Sequence, residues 1–169
     1  MLAQAISTPF AELVREHQAM VFSIAYHFLR DRTLAEEIAQ DVFLQLFRNL
    51  GSLESEAHVT FWLRRVTSNR CVDHVRKRQR QPEVALEDTA ELRSVDGQSD
   101  PLLSRKLRAL LQSLPEKPRL VMILRYQEEL MPEEIARVLD MPVRTVKSHL
   151  HRSLAMLREK MERSMGGSV

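Results

Sequence analysis

The sequence predicts an all-α protein of two small domains, a helical bundle and a helix-turn-helix, joined by a flexible acidic linker. Three observations carry that expectation. Apolar residues recur at three- and four-residue steps through nearly all of the 169-residue chain, the period of helices with one buried face. Only 4 glycines and 7 prolines occur, too few for a turn-rich all-β fold or a glycine-rich phosphate loop. Between Glu83 and Asp100 the composition inverts: Glu83, Glu87, Asp88, Glu91, Asp96 and Asp100 stand against Arg93 alone, with no aromatic residue and a glycine at position 97. Such a stretch cannot bury a core and reads as a linker.

The first helix carries Phe10, Leu13, Val14, His17, Val21, Ile24, Ala25 and Phe28 on one side, with Thr8 as its cap and Pro9 at its first position. Asp31-Arg32 interrupts it. Thr33 to Glu36 has the spacing of a capping box for a second helix, whose apolar side is Ala35, Ile38, Ala39, Val42, Phe43, Leu46, Phe47 and Leu50, with Gly51 at the C′ position. After a polar loop from about Ser52 to Ala57, a third helix runs from about His58 to Gln79 and stops at Pro82. Beyond the linker, Asp100-Pro101 restarts helix with the stripe Leu103, Leu107, Leu110, Leu111 and Leu114. Pro115 and Pro118 bracket a turn before a helix carrying Val121, Leu124 and Tyr126. The domains predicted are therefore 1–81 and 101–165, with 82–100 between them.

The last two helices carry chemistry. Pro132 to Leu139 is a short amphipathic helix with Glu133 and Glu134 in its first turn, where carboxylates favour the helix dipole. Asp140-Met141 turns the chain into a helix that begins at Pro142. There Val146, Leu150, Leu154, Leu157 and Met161 point one way, while Arg144, Thr145, Lys147, Ser148, His151 and Arg152 point the other. A short helix, a tight turn and a helix with a polar, basic outer face make a helix-turn-helix whose second helix enters a major groove.

The third helix carries a second cation cluster. Arg64, Arg65, Arg70, Arg76, Lys77, Arg78 and Arg80 outnumber Asp73, and Trp62, Val66, Asn69 and Asp73 are spaced to share a side. Cations along a backbone with aromatic and amide groups meeting bases is the way single strands are held. Trp62 reads first as a core anchor. A single Cys leaves no internal disulfide and no multi-Cys metal site, and no apolar run approaches the roughly 18–20 residues that span a bilayer. His149 and His151 diverge on a helix and cannot share a metal. The sequence thus points to no cofactor, metal or catalytic centre, to a cytoplasmic setting, and away from an enzyme or a structural adaptor. A dimeric regulator acting on duplex operator DNA explains the helix-turn-helix but leaves the third helix idle.

Three blocks in fixed order carry a resemblance. They are Ala35-Glu36-Glu37-Ile38-Ala39-Gln40-Asp41-Val42-Phe43, then Phe61-Trp62-Leu63 with Asn69 and Asp73-His74-Val75-Arg76, then Leu114-Pro115 with Glu133-Glu134-Ile135-Ala136 and Thr145-Val146-Lys147-Ser148. With an acidic linker between them, the chain resembles the extracytoplasmic-function (ECF) sigma factors of the sigma-70 family from about Phe10 to Leu157. The resemblance implies that the first domain is sigma region two. By the same resemblance it would dock on the β′ clamp helices of core RNA polymerase through Glu37, Asp41 and Gln45. It would read the −10 element with the loop from about Ser52 to Thr60 and with Trp62, Arg65, Asn69, Arg70, Arg76, Lys77 and Arg78. Region four would read the −35 duplex through Arg144, Thr145, Lys147, Ser148, His151 and Arg152 and touch the β flap. The linker would thread toward the RNA exit path, and an anti-sigma factor would hold the protein inactive. Two departures stand out: Met131 where relatives often place a Ser or Thr cap, and Asp140 where Gly is common. The net charge of +2 is then the sum of two basic faces and an acidic linker.

Overall fold

Phe28, Leu13, Ile24, Leu46 and Leu63, all fully buried, come from three successive helices and set the first half of the fold. The computed structural model describes residues 6–80 and 101–166. The sequence-read linker lies outside them. The elements are α1 (Phe10–Leu29), α2 (Arg32–Asn49), a 3-10 turn (Leu50–Ser52), α3 (Glu56–Arg80), α4 (Pro101–Gln112), α5 (Glu116–Tyr126), α6 (Pro132–Leu139) and α7 (Val143–Gly166). No strand occurs among the described residues.

Helices α1, α2 and α3 pack on one another as a bundle. The periodicity of α1 translates directly: Leu13, His17, Val21, Ile24, Ala25 and Phe28 are its buried residues. His17 is tolerated inside because its two ring nitrogens meet Leu13 O at 2.9 Å and Thr60 Oγ1 at 3.1 Å. Cys71, buried against the same core, has its thiol pushed up to about 12 by desolvation. A thiol of that kind holds its proton and is a poor nucleophile. Cys71 is therefore expected to resist a soluble disulfide reagent in the native protein at mildly alkaline pH and to react fully in urea. Fast native labelling would contradict the burial.

Local details differ from the sequence expectation at several ends. Pro118, expected to close a turn, lies in the first turn of α5 (Glu116–Tyr126), where a missing N–H costs nothing. Pro9 is itself the cap position of α1, and Thr8 does not cap; its hydroxyl donates to Glu56 Oε1 at 2.7 Å, pinning the chain start to α3. The cap of α2 is Asp31, whose carboxylate accepts from Leu34 N at 3.0 Å; Thr33 lies inside the helix and Glu36 pairs with Arg32 instead of closing a capping box. Gly51 has no positive φ, since α2 passes through Leu50 in right-handed geometry into the 3-10 turn. No glycine-specific conformation is needed there.

In the second unit α7 packs against α5, α6 and α4. Leu120, Val121, Leu124, Ile135, Val138 and Val146 form its core, and Leu114, Met122 and Leu157 a second cluster with Leu110 and Leu111 on α4. Two members of the predicted stripes point outward: Leu107 and Leu154 are each 39% exposed, and Ser153 takes the buried position on α7. Tyr126 is likewise exposed, with Arg125 over its ring. Asp140 adopts the left-handed conformation (φ 52°) and ends α6 with a bond from its own N–H to Ala136 O. Asp tolerates that region better than most residues, so it serves in a turn that favours glycine.

Met131 caps α6 with no side-chain hydrogen bond and is 53% exposed. The N–H of Glu134 donates to the Met131 backbone carbonyl at 2.9 Å, with no side-chain acceptor beside it. Met131→Ser adds a side-chain acceptor for the first-turn N–H groups without emptying the core. It is expected to stabilise the second domain by about 1 kcal/mol, raising its thermal midpoint by a few degrees; an unchanged or lower midpoint would contradict this.

The two units are joined in space. One apolar cluster runs from the bundle through α5 and α6 to α7, with α3 against α6 and α5, and α1 against α5. A helix leaves its last carbonyls without intrahelical partners. At the end of α1 these are filled from the second unit: Gln112 Nε2 donates to His27 O and Phe28 O, each at 3.3 Å, and Arg119 Nη1 to Phe28 O at 3.2 Å. The Arg119 guanidinium also lies 4.8 Å above the Phe28 ring, and its second nitrogen holds Gln112 O and Leu114 O. Burial lowers its pKa, against the attraction of Glu116.

Candidate nucleic-acid interface

The exposed side of α7 gathers one chemistry. Arg144, Lys147, His151 and Arg152 are exposed and Thr145 and Ser148 partly so, and with Val143 most of them line a shallow concavity on the helix. Positions 144, 147/148 and 151/152 advance by three or four residues, so they stack along one face. No acidic residue falls between Val143 and Arg158. Arg152 leans back along the helix, its Nε donating to Ser148 O at 3.4 Å. Val146 and Ser153 on the opposite side fix the rotation by packing inward. All six predicted residues of α7 are thus brought to one surface. His149 is not among them: it faces the groove beside Pro115 and Lys117, where burial, then Arg152 and Lys117, hold its imidazole below the ordinary pKa and therefore uncharged at neutral pH.

On α3 the predicted residues divide. Arg65, Asn69 and Arg76 line one cleft together with Asp73. Trp62 is half-buried and packs against the core, the anchor role that its position suggested. Arg70 turns away, its Nη2 donating to Gln45 Oε1 of α2 at 3.2 Å. Lys77, Arg78 and Arg80 form an exposed cationic tail at the helix end. The loop before α3 is shorter than the sequence suggested, because α3 begins at Glu56. Ser55 Oγ accepts from His58 N at 3.1 Å, and His58 Nδ1 takes the N–H of Glu54 at 3.3 Å. Leu53 is buried beneath it.

The outer face of α2 carries Glu37 and Asp41, both exposed, and Gln45, partly covered by Arg70. Sequence reasoning missed their apolar neighbours. Leu44 is 57% exposed, and Phe47, expected in the core, is 62% exposed with its ring edge-on to Phe10 at 5.2 Å. Leu44 sits off the buried stripe by two residues, a signal that was available. Phe47 sits on the stripe's margin, where the angle alone cannot decide.

The sigma-70 region 2 family matches residues 13–81 and the sigma-70 region 4 family residues 104–157. ECF RNA polymerase sigma factor SigW of Bacillus subtilis is 30% identical, over 90% of this chain and 88% of its own length. RNA polymerase sigma-E factor of Streptomyces avermitilis is 32% identical, over 90% of this chain and 85% of its own. The chain belongs to the ECF sigma factors. Its fold is similar to that of the sigma factor RpoE of Bartonella quintana, solved with the anti-sigma factor NepR (TM-score 0.76, 21% identity, 90% of this chain and 96% of that one). It is also similar to CnrH, solved with the cytosolic domain of CnrY (TM-score 0.67, 21% identity, 91% and 88%). Region two of this sigma factor is the α1–α3 bundle, and region four is α4–α7 with its helix-turn-helix in α6 and α7. No described helix is long and apolar enough to cross a membrane.

Proposed function

We infer that this ECF sigma factor binds core RNA polymerase and directs it to promoters by dividing the DNA between two faces, with no catalysis of its own, in the cytoplasm and under an anti-sigma partner. The observation that carries the reading is the single acid-free stripe of Arg144, Lys147, Ser148, His151 and Arg152 on α7. Guanidinium, ammonium and hydroxyl groups in that array suit guanine edges and phosphates of a −35 duplex, with Thr145 at its margin. The division proposed is 1–81 for region two, 82–100 for the linker and 101–165 for region four. On α3, Arg65, Arg76, Lys77 and Arg78 supply phosphate attraction, and Arg70 joins them once it leaves Gln45 of α2. Asn69 supplies a base-edge contact and Trp62 a wall for the −10 strand. Drawing a base out of the stack costs a few kcal/mol, which a pocket and hydrogen bonds must offset.

Glu37, Asp41 and Gln45 are the polymerase contacts in this reading, with Leu44 and Phe47 giving the same face an apolar centre. Region four adds the contact with the β flap. The complexes of similar folds with anti-sigma factors support the regulatory partner. Titrating core polymerase with fluorescent chain tests the docking face. Asp41→Arg is expected to weaken binding about tenfold or more while leaving the thermal midpoint unchanged, because Asp41 is exposed. Unchanged binding by Asp41→Arg and Phe47→Ala alike would remove α2 from the polymerase contact. In polymerase-bound form, Asn69→Ala is expected to impair strand opening while sparing −35 duplex binding.

A further inference from the structure

Beside the stripe on α7 lies a second concavity, of about 750 Å³, walled by the α4–α5 turn, the start of α5 and the next face of α7. His149, Ser153 and Met156 follow one another along that face at helical steps. Arg152 lines both this groove and the concavity of the stripe itself, so the two are continuous. The charged groups facing His149 are Lys117, Arg119 and Glu116 from α5 and Arg152 from α7; the α4–α5 turn and Gln79 of α3 add no titratable group. Glu116, the one acid, is already engaged, its Oε2 accepting from Arg76 Nε at 3.1 Å. Nearby, Lys160 Nζ donates to Ser113 Oγ at 3.0 Å. The groove is therefore a cationic continuation of a cationic stripe.

His149 is set apart from the histidines that serve the fold. His17 bonds through both ring nitrogens, and His58 Nδ1 takes the N–H of Glu54. Among the described residues His149 has no hydrogen-bond partner, and it lies half-buried between two cations. Burial, Arg152 and Lys117 all oppose its protonation in the free protein. A phosphate in the groove reverses that field, because it offsets the cations and sets an anion against the ring. We propose that His149 is a phosphate contact for the duplex held by the α7 stripe, and that it takes up a proton from solvent as the DNA backbone enters the groove. The inference rests on the reading of α7 as a duplex-binding surface. The step forms one N–H bond on the imidazole and leaves the phosphodiester intact. Backbone phosphate is the source the geometry favours, since a strand that reaches Arg152 along the stripe meets His149 within one helical turn. The sign follows. His149 is uncharged near neutral pH in the free chain and charged in the complex. Affinity is level above the bound-state pKa, rises as pH falls through it, and levels again below the lowered free-state value.

The test uses the full chain carrying His151→Gln, which removes the other histidine of the duplex face, and a labelled duplex selected by the native chain. Anisotropy titrations at constant ionic strength run from about pH 8 to about pH 6, on either side of the ordinary histidine value. Affinity is expected to rise about fivefold over that range, inside the limit of about tenfold per pH unit that one proton sets. Adding His149→Gln is expected to flatten the profile at the weaker value. Adding His149→Lys instead is expected to flatten it at the tighter value, since that charge is present before the duplex arrives. Calorimetry in two buffers of different ionisation heat counts the protons: uptake of up to about one is expected with duplex near pH 7, and none with inorganic phosphate alone. A pH profile left unchanged by His149→Gln would overturn the proposal, and so would proton uptake with inorganic phosphate but none with duplex. If the chain binds duplex through Arg144, Lys147 and Arg152 without this pH dependence, the inference falls and the reading of α7 stands. If it binds duplex at no pH, both fall.

Discussion

Replacing Arg144, Lys147 and Arg152 together with Ala is expected to weaken binding to duplex DNA selected by the native chain on the order of 100-fold. Each exposed cation on the α7 stripe is worth about 1 kcal/mol or more against phosphate or guanine. All three are solvent-facing, so removing them leaves Val146, Ser153 and Leu157 in place and the fold intact. The salt dependence is the more specific readout. Losing up to three phosphate contacts lowers the slope of log affinity against log salt by up to about 3, whereas losing a purely base-reading contact leaves it unchanged. Anisotropy titrations at several salt concentrations separate the two. An unchanged affinity would show that the stripe does not face DNA.

Phe28→Ala is expected to cost about 3–5 kcal/mol, a large share of the stability of a domain this size. The ring is fully buried in the region-two core, and it is also the platform beneath the Arg119 guanidinium, so the substitution opens a cavity and loosens the joint between the domains. Phe47 provides the contrast. It sits in the same apolar rhythm but is 62% exposed, and Phe47→Ala is expected to cost well under about 1 kcal/mol while weakening polymerase binding. Urea unfolding followed by circular dichroism measures both. Equal losses would mean that Phe47 belongs to the core after all.

How far sequence reached follows from which contacts are local. Helix period and strong breakers are local, so all seven helices and the extent of α6 were legible, and the six residues of the α7 stripe lie together because they share one helix. Caps were less legible, since Asp31 and Thr33 both offer an oxygen at the right distance and only the backbone turn selects Asp31. Marginal stripe positions such as Phe47, Leu107 and Leu154 depend on what the neighbouring helix covers. Arg70 could not be separated from Asn69 by spacing, because the helix α2 that supplies Gln45 is set by tertiary packing. Least legible was the docking of region four on α3. Arg65 and Asp140 are far apart in the chain, and nothing in either segment alone records that they meet.

Transcription from fragmented genomic DNA by purified core RNA polymerase, with and without this chain, bears most directly on the central claim. Promoter-specific transcripts are expected only when the chain is present, and they should be lost with the Arg144/Lys147/Arg152 variant and reduced with Asn69→Ala. If the native chain instead binds duplex DNA tightly but yields no specific transcript with core polymerase, the protein is not the promoter-recognition subunit described above.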